Sequence, residues 1–203
     1  NVVRVGLGPT PMLYYAEASM DDVDGGIMIT GSHNPPDYNG FKMVFQGRPF
    51  FGADIQTLGK MAEAGDWNSP KGGEGSSREQ PMLDAYIDRI TRGADAFTGF
   101  RVGWDAGNGA AGPALEKLIT KLPGEHHCLY TKVDGTFPNH HPDPTEPENL
   151  EDLQKLVADN DLDFGIAFDG DGDRIGAIDG EGRIIWGDQL MPIFAAEVLK
   201  EEP

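Results

Sequence analysis

Short apolar runs of strand length alternate along this chain with segments long enough for helices, and Gly or Pro stands between them. Such alternation forces the strands into layered sheets with helices packed on them. The first round predicts a strand over 2–7, a helix over 10–19 with Pro11 in its first turn, strands over 26–30 and 40–45, and helices over 53–64 and 80–92. A Gly-, Pro- and Ser-rich surface loop is expected at 67–77. After Gly93 the pattern restarts: a strand over 100–105, a helix over 113–121, a strand over 127–133, a Pro- and His-bearing loop, a helix over 149–160, and strands over 164–168 and 174–178. The fold class is α/β, as two consecutive layered α/β domains with mixed, mostly parallel sheets. The expected domains are 1–95 and 96–186, with the boundary inside 92–98 and with 187–203 as the opening helix of a third. The start without Met, and an apolar stretch at the end without obvious core partners, read as parts of a longer chain.

The chain's 203 residues, 38% hydrophobic with ten Phe and three Trp, suffice for real cores and exceed what disorder tolerates. A formal charge of −18 would repel phosphate backbones, so nucleic acid is excluded as a partner. No apolar run approaches the ~18 residues of a membrane span, and the start lacks the order of a signal peptide. The single cysteine, Cys128, excludes an intramolecular disulfide and any cysteine metal cluster, which suits the cytoplasm. It reads as a small buried hydrophobe.

The sharpest local signal follows the apolar run 164–168. Asp169, Asp171 and Asp173 stand at alternate positions, and Gly170 and Gly172 between them let the backbone curl so that the three carboxylates converge. Hard oxygen ligands gathered in this way suit Mg2+. An acidic glycine-rich turn is the plain alternative. An EF-hand fails at its later positions, where Arg174 replaces the glycine and Gly180 the glutamate. A haloacid-dehalogenase phosphatase would want Thr or Val where Asp173 stands.

A second strand-then-loop signal is T-G-S-H-N-P-P-D-Y-N-G-F-K over 30–42, which sets the Ser32 hydroxyl beside the His33 imidazole, with Lys42 ten residues on. A serine at a strand end can carry a phosphoryl group if nearby groups balance the charge. A Ser/Asn turn closed by its own hydrogen bonds is the alternative. A serine-hydrolase elbow needs glycines where Thr30 and Asn34 stand.

T-G-S-H-N-P-P-D-Y-N-G-F-K and D-G-D-G-D-R, in that order, resemble the α-D-phosphohexomutases, and D-G-T-F-P-N-H-H-P-D-P over 134–144 narrows the resemblance to the phosphomannomutase/phosphoglucomutase branch. The resemblance implies a four-domain parent around a cleft, with this chain spanning the later part of domain 1, domain 2 and the start of domain 3. It implies that Ser32 is the phosphorylated nucleophile and that Mg2+ is held by Asp169, Asp171, Asp173 and Ser32 through a phosphate oxygen. Lys42 and Arg174 would balance the charge, and Lys42 would carry a proton if desolvated beside another cation. His33 would position the loop or touch phosphate, and Asn34 would assist phosphate binding. The implied partners are hexose phosphates, mannose or glucose 1- or 6-phosphate, and hexose 1,6-bisphosphate. The sugar-gripping domains would lie outside these residues, so the chain alone is expected to be inactive.

A rival from another class is Gly107-Asn-Gly-Ala-Ala-Gly112, a G-x-G-x-x-G between a strand and a helix, with Asp134 after the next strand; this is the arrangement of a NAD-dependent oxidoreductase. A non-catalytic metal-binding module is the third reading. His126 and His127 have no ligand spacing. His140 and His141, in the proline-rich loop, read as hydrogen-bonding or domain-contact residues rather than metal ligands.

Overall fold

The computed structural model describes residues 1–35, 37–66, 74–94 and 99–201. Most of the expected 67–77 loop and part of the 92–98 boundary lie outside the described residues.

In the first unit, β1 (Val2–Arg4) is followed by α1 (Thr10–Ser19), which starts on Pro9 and Pro11, where a missing N–H costs nothing. β1 stops short of the expected residue 7 because the chain turns at Gly6, whose φ is +92°. β2 (Gly25–Ile29), β3 (Phe41–Phe45) and β4 (Arg48–Pro49) form an antiparallel sheet, and α2 (Ala53–Ala64) follows. β5 (Ser77–Glu79) pairs parallel with β1. It occupies sequence next to the expected 80–92 helix, which instead forms only as α3 (Leu83–Ile90), past Pro81. Met12 and Ala16 of α1 pack with Met82, Tyr86 and Val5 as the core.

Among the described residues β1 pairs only with β5, and β2 only with β3. A groove of about 1370 Å³ runs between them, with Val3, Val5, Met12, Leu13 and Met28 among its walls. Leu13 packs on Gly26, so the other face of β2 and β3, carrying Ile27, Ile29, Phe41 and Phe45, lies away from α1 and is exposed. No residue of α2 is buried.

The second unit is one five-stranded sheet in the order β10-β9-β8-β6-β7, built from β6 (Phe100–Asp105), β7 (Gly124–Leu129), β8 (Phe164–Phe168), β9 (Ile175–Asp179) and β10 (Ile184–Ile185). α4 (Gly112–Leu118) follows β6. The expected 149–160 helix is a 3-10 turn, Pro147–Leu150, running into α5 (Glu151–Asn160). β7 ends before the expected residue 133 because Tyr130 is left-handed, with φ +53°. Leu150, Leu153 and Val157 bury against Leu162, Ala167 and Ile178. Gly103 and Gly165 admit α5 to the sheet, since a Cβ on Gly165 would meet Leu153 at 2.9 Å. Each fully buried leucine contributes about 2–3 kcal/mol of apolar transfer, so this interface fixes where β8 ends.

Pairing is mixed, as expected, but less parallel than the helix alternation implied. Among the described residues β1/β5, β6/β7 and β6/β8 are parallel, whereas β2/β3, β3/β4, β8/β9 and β9/β10 are antiparallel. The physical reason is connection length: β2 to β4 and β8 to β10 are joined by turns too short for a crossover helix. The final helix, α6 (Gly187–Glu201), exposes Met191, Ile193, Phe194, Val198 and Leu199.

Candidate functional site

β8 delivers Asp169 at its end, and the following turn is organised by that side chain. Asp169 Oδ1 accepts the backbone N–H groups of Asp173 at 3.0 Å and Arg174 at 3.1 Å, while Gly172 takes a left-handed φ of +68° to close the curve. Asp169 and Asp171 are buried and Asp173 is exposed, yet one oxygen of each lies within 4.8 Å of the others. At that spacing a pair of carboxylates repels by on the order of 3 kcal/mol even at an effective dielectric of ~20. A positive charge among them is therefore required.

Lys42 and Arg174 supply part of it. Lys42 Nζ is 2.7 Å from Asp171 Oδ2 and also donates to Asp173, and Arg174 Nε donates to Asp169 Oδ2 at 3.0 Å. The buried Nη2 of Arg174 lies 3.0 Å from the same oxygen but is not aligned with it, and is a spare donor among the described residues. Burial works against the Lys42 charge, but hydrogen bonds and charge from Asp171 and Asp173 outweigh it and raise the pKa. The groups that face Lys42 here are the two carboxylates, which favour its ammonium form.

The first unit brings Ser32 onto this cluster. Its Oγ is 2.9 Å from Asp169 Oδ2, 3.1 Å from Asp171 Oδ1 and 3.3 Å from His33 Nδ1. One hydroxyl proton cannot serve both carboxylates, so unprotonated oxygens face one another. This set of hard oxygens fits a hard divalent cation, for which Asp169, Asp171, Asp173 and Ser32 are the ligands at hand. Ser32 also holds φ at +52°, a costly conformation for a residue with a Cβ, kept in place by its N–H bond to Thr30 Oγ1 at 2.8 Å.

Thr10 and Thr30 also reach the cluster, a placement that the sequence reading missed. The two hydroxyls donate to Asp171 Oδ2 at 2.8 and 3.0 Å, and the Thr10 N–H donates to the Asp171 carbonyl at 2.8 Å. The N-terminus of α1 thus abuts the Asp171 loop, where its dipole favours negative charge. The local signal at Thr10, a hydroxyl at a helix start, is indistinguishable from an ordinary cap. The two buried carboxylates part ways as a result. Burial and the neighbouring Asp171 charge push Asp169 above the usual carboxylate value. Asp171, despite burial, is held below it by hydrogen bonds from Lys42 and Thr10 and by the Lys42 charge.

Of the other expected site residues, His33 is brought in by both ring nitrogens, with Nε2 3.8 Å from Asp143 Oδ2. Asn34 is exposed; its backbone N–H closes the turn on the Gly31 carbonyl, and its side chain makes no hydrogen bond to the cluster among the described residues. Cys128 is half-buried rather than fully buried, and burial raises its thiol pKa. His126 accepts the Trp104 Nε1–H at 3.1 Å, and His140 pairs with Asp105.

The Gly107–Gly112 loop is used up internally. The Asn108 and Ala110 N–H groups donate to the carbonyls of Tyr130 and Gly170, and a Cβ on Gly109 or Gly112 would lie 2.7 Å from the Gly170 oxygen or 1.9 Å from the Thr131 oxygen. These glycines admit neighbouring backbone, not a pyrophosphate. Asp134 turns onto Thr136 instead of facing a ribose. The dinucleotide reading is not favoured.

Two family models match the chain, phosphoglucomutase/phosphomannomutase alpha/beta/alpha domain I over residues 1–69 and domain II over 84–182. A phosphomannomutase/phosphoglucomutase of Pseudomonas aeruginosa is 45% identical over 203 residues, covering 100% of this chain and 43% of that protein. A phosphoglucomutase of Neisseria meningitidis serogroup B is 43% identical, covering 100% of this chain and 44% of its own. A solved phosphoglucomutase/phosphomannomutase family protein from Burkholderia thailandensis superposes with a TM-score of 0.90 at 42% identity, covering 100% of this chain and 45% of that one. The chain spans less than half the length of these relatives. With both domain models in sequence order and the motif residues of the two units meeting at one cluster, the chain belongs to the phosphoglucomutase/phosphomannomutase family.

Proposed function

We propose that this chain carries the phosphoryl-transfer centre of a phosphohexomutase, in which Ser32 holds the phosphate that moves between the 1- and 6-positions of a hexose. The carrying observation is the Ser32 hydroxyl set 2.9 and 3.1 Å from two buried aspartates of the other unit. In the proposed cycle phosphoserine transfers its phosphoryl group to a hexose monophosphate, giving a 1,6-bisphosphate, and the other phosphate returns to Ser32 after the sugar turns over. The substrates are mannose or glucose phosphates.

The acidic cluster is proposed to take Mg2+ through Asp169, Asp171, Asp173 and Ser32, and the bound ion would neutralise the phosphoryl oxygens. The charge count supports this. Three carboxylates outweigh Lys42 and Arg174 by one, and a phosphoserine adds roughly −1.5 to −2 more. Catalysis here is positioning and charge neutralisation. Lys42 supplies charge and a donor, and with Mg2+ bound beside it would also carry a proton. Arg174 offers its spare Nη2–H to a phosphate oxygen. His33 Nδ1, beside Oγ, orients the nucleophile, and Asn34 shapes the turn.

The division at 1–95, 96–186 and 187–203 remains our reading of the domains. Sugar-binding parts are proposed to lie outside these residues, so the chain alone should interconvert hexose phosphates poorly. A reducing, cytoplasmic setting is proposed from the lone cysteine, and no described helix is long and apolar enough to cross a membrane.

Intact-mass measurement before and after phosphatase, then after glucose 1,6-bisphosphate with Mg2+, tests the reading. One phosphoryl group mapped to Ser32 is expected. A Ser32 that stays unmodified in the chain and in a longer protein containing it would reduce the site to a non-catalytic metal module.

A further inference from the structure

The loop bearing His140 gives no atom to the carboxylate cluster, yet it is fastened beneath it. His140 Nε2 lies 2.8 Å from Asp105 Oδ2, and Nδ1 lies 2.9 Å from the His141 carbonyl oxygen. Both partners are acceptors, so the geometry fits a ring protonated on both nitrogens. Asp105 is fully buried, and its other oxygen accepts the Gly107 N–H at 2.8 Å. A carboxylate at that depth is expensive without a charged partner. A second tie lies one residue earlier, where Asn139 Nδ2 donates to Asn108 Oδ1 at 2.7 Å, and Asn108 is itself anchored to the Lys132 carbonyl at 2.8 Å.

Beyond these ties the loop reaches the site. Pro142 is buried against Gly107 and Gly170. Asp143 then puts Oδ1 3.6 Å from Arg174 Nη1 and Oδ2 3.8 Å from His33 Nε2. Arg174 and His33 are the two groups that touch Asp169 and Ser32 from this side.

We propose that His140 is a positioning residue: clamped as an imidazolium between Asp105 and the His141 carbonyl, it holds the loop where Asp143 orients Arg174 and His33 beside Ser32. The functional part of this inference rests on Ser32 being the phosphoryl carrier. The groups facing the ring are Asp105 of β6, the His141 carbonyl, and Tyr130 past β7, whose ring centroid is 5.5 Å away and whose hydroxyl donates to Asp152 of α5. Burial opposes the charge, but Asp105, the His141 carbonyl and, more weakly, Asp152 outweigh it and raise the His140 pKa. The clamp is therefore complete below the ordinary histidine value and is released as pH rises through the raised one.

The test is an NMR titration of the 203-residue chain labelled at His and Arg and along the backbone, from about pH 6 to about pH 9. Both His140 nitrogens are expected to be protonated at neutrality, and the signals of the Arg174 Nε–H and of the Thr145 amide, which donates to Asp143 Oδ1 at 3.1 Å, to shift with the His140 midpoint. Asp105→Asn should lower that midpoint, and His140→Asn should abolish the dependence. A parallel titration of His33→Asn removes the other imidazole facing Asp143. A bare ring nitrogen at neutrality, or Arg174 and Thr145 signals that ignore His140 or follow only His33, would overturn the proposal. If His140→Asn fails to fold, the wild-type and Asp105→Asn titrations still decide. In a second arm, Ser32 phosphorylation by glucose 1,6-bisphosphate should slow about tenfold or more in His140→Asn, the scale of a small misplacement. Wild-type Ser32 that takes up no phosphate in the chain or in a longer protein containing it would count against the mutase reading alone, because the titration judges the clamp without it.

Discussion

The Thr10 hydroxyl donates to Asp171 Oδ2 at 2.8 Å across 161 positions of sequence, and the Thr10 N–H donates to the Asp171 carbonyl at 2.8 Å. The start of α1 and the Asp169–Asp173 loop are therefore one structural joint. Thr10 is fully buried, so Thr10→Val leaves a carboxylate short of a donor in a place water does not reach. Loss of a hydrogen bond to a charged group should cost about 1.5–3 kcal/mol in urea unfolding, and Thr10→Ser should recover most of it. Equal midpoints for Val and wild type would show that the joint contributes nothing.

Ser32 tests strain and chemistry separately. With φ at +52°, Ser32→Gly should be more stable than Ser32→Ala by about 1 kcal/mol, since a Cβ is penalised there and glycine is not. Both variants should lose phosphoryl uptake at this position. Thermal melts check the first expectation and intact-mass spectrometry the second; uptake by either variant would move the nucleophile elsewhere.

Asp171→Asn removes one negative charge from the cluster and one of the two carboxylates that pair with Lys42. Mg2+ affinity by calorimetry should fall at least on the order of tenfold, the lower range seen even for partners outside the metal's own shell, while circular dichroism stays native. Unchanged affinity would remove Asp171 from the site.

The Tyr130 phenol is pushed up to about 12 by burial and by the hydrogen bond and charge of Asp152. An unfolded tyrosine ionises near its ordinary value of 10.0, so the sign is definite: below pH 10 Tyr130 adds no pH dependence, and between 10 and about 12 stability falls because the unfolded phenol ionises first. Ultraviolet difference titration of wild type against Tyr130→Phe should reveal one late phenol. Ionisation at the ordinary value would mean that the Asp152 contact is not kept in solution.

Read alone, the sequence marks the Ser32 loop and the Asp169–Asp173 turn and the frame that presents them. An apolar run closing on Asp169, Asp171 and Asp173, with glycines between, points to carboxylates gathered at a strand end, as the structure shows. The bounds of α1, α2, β6 and β8 also follow, because proline, glycine and apolar spacing act within a few residues. Pairing does not follow from local pattern. β4, β5 and β10, two or three residues long, carry no periodic signal, and what they pair with depends on how long the intervening turns are. Tertiary structure also decided the roles of Thr10, Thr30, Asp143 and His140, which are ordinary polar residues until folding sets them against a buried charge. The glycines of Gly107–Gly112 make the same point, since their sequence permits either a dinucleotide or a packed backbone. Only the Gly170 and Thr131 carbonyls filling that space choose between them, because close approach is a property of the partner as much as of the glycine.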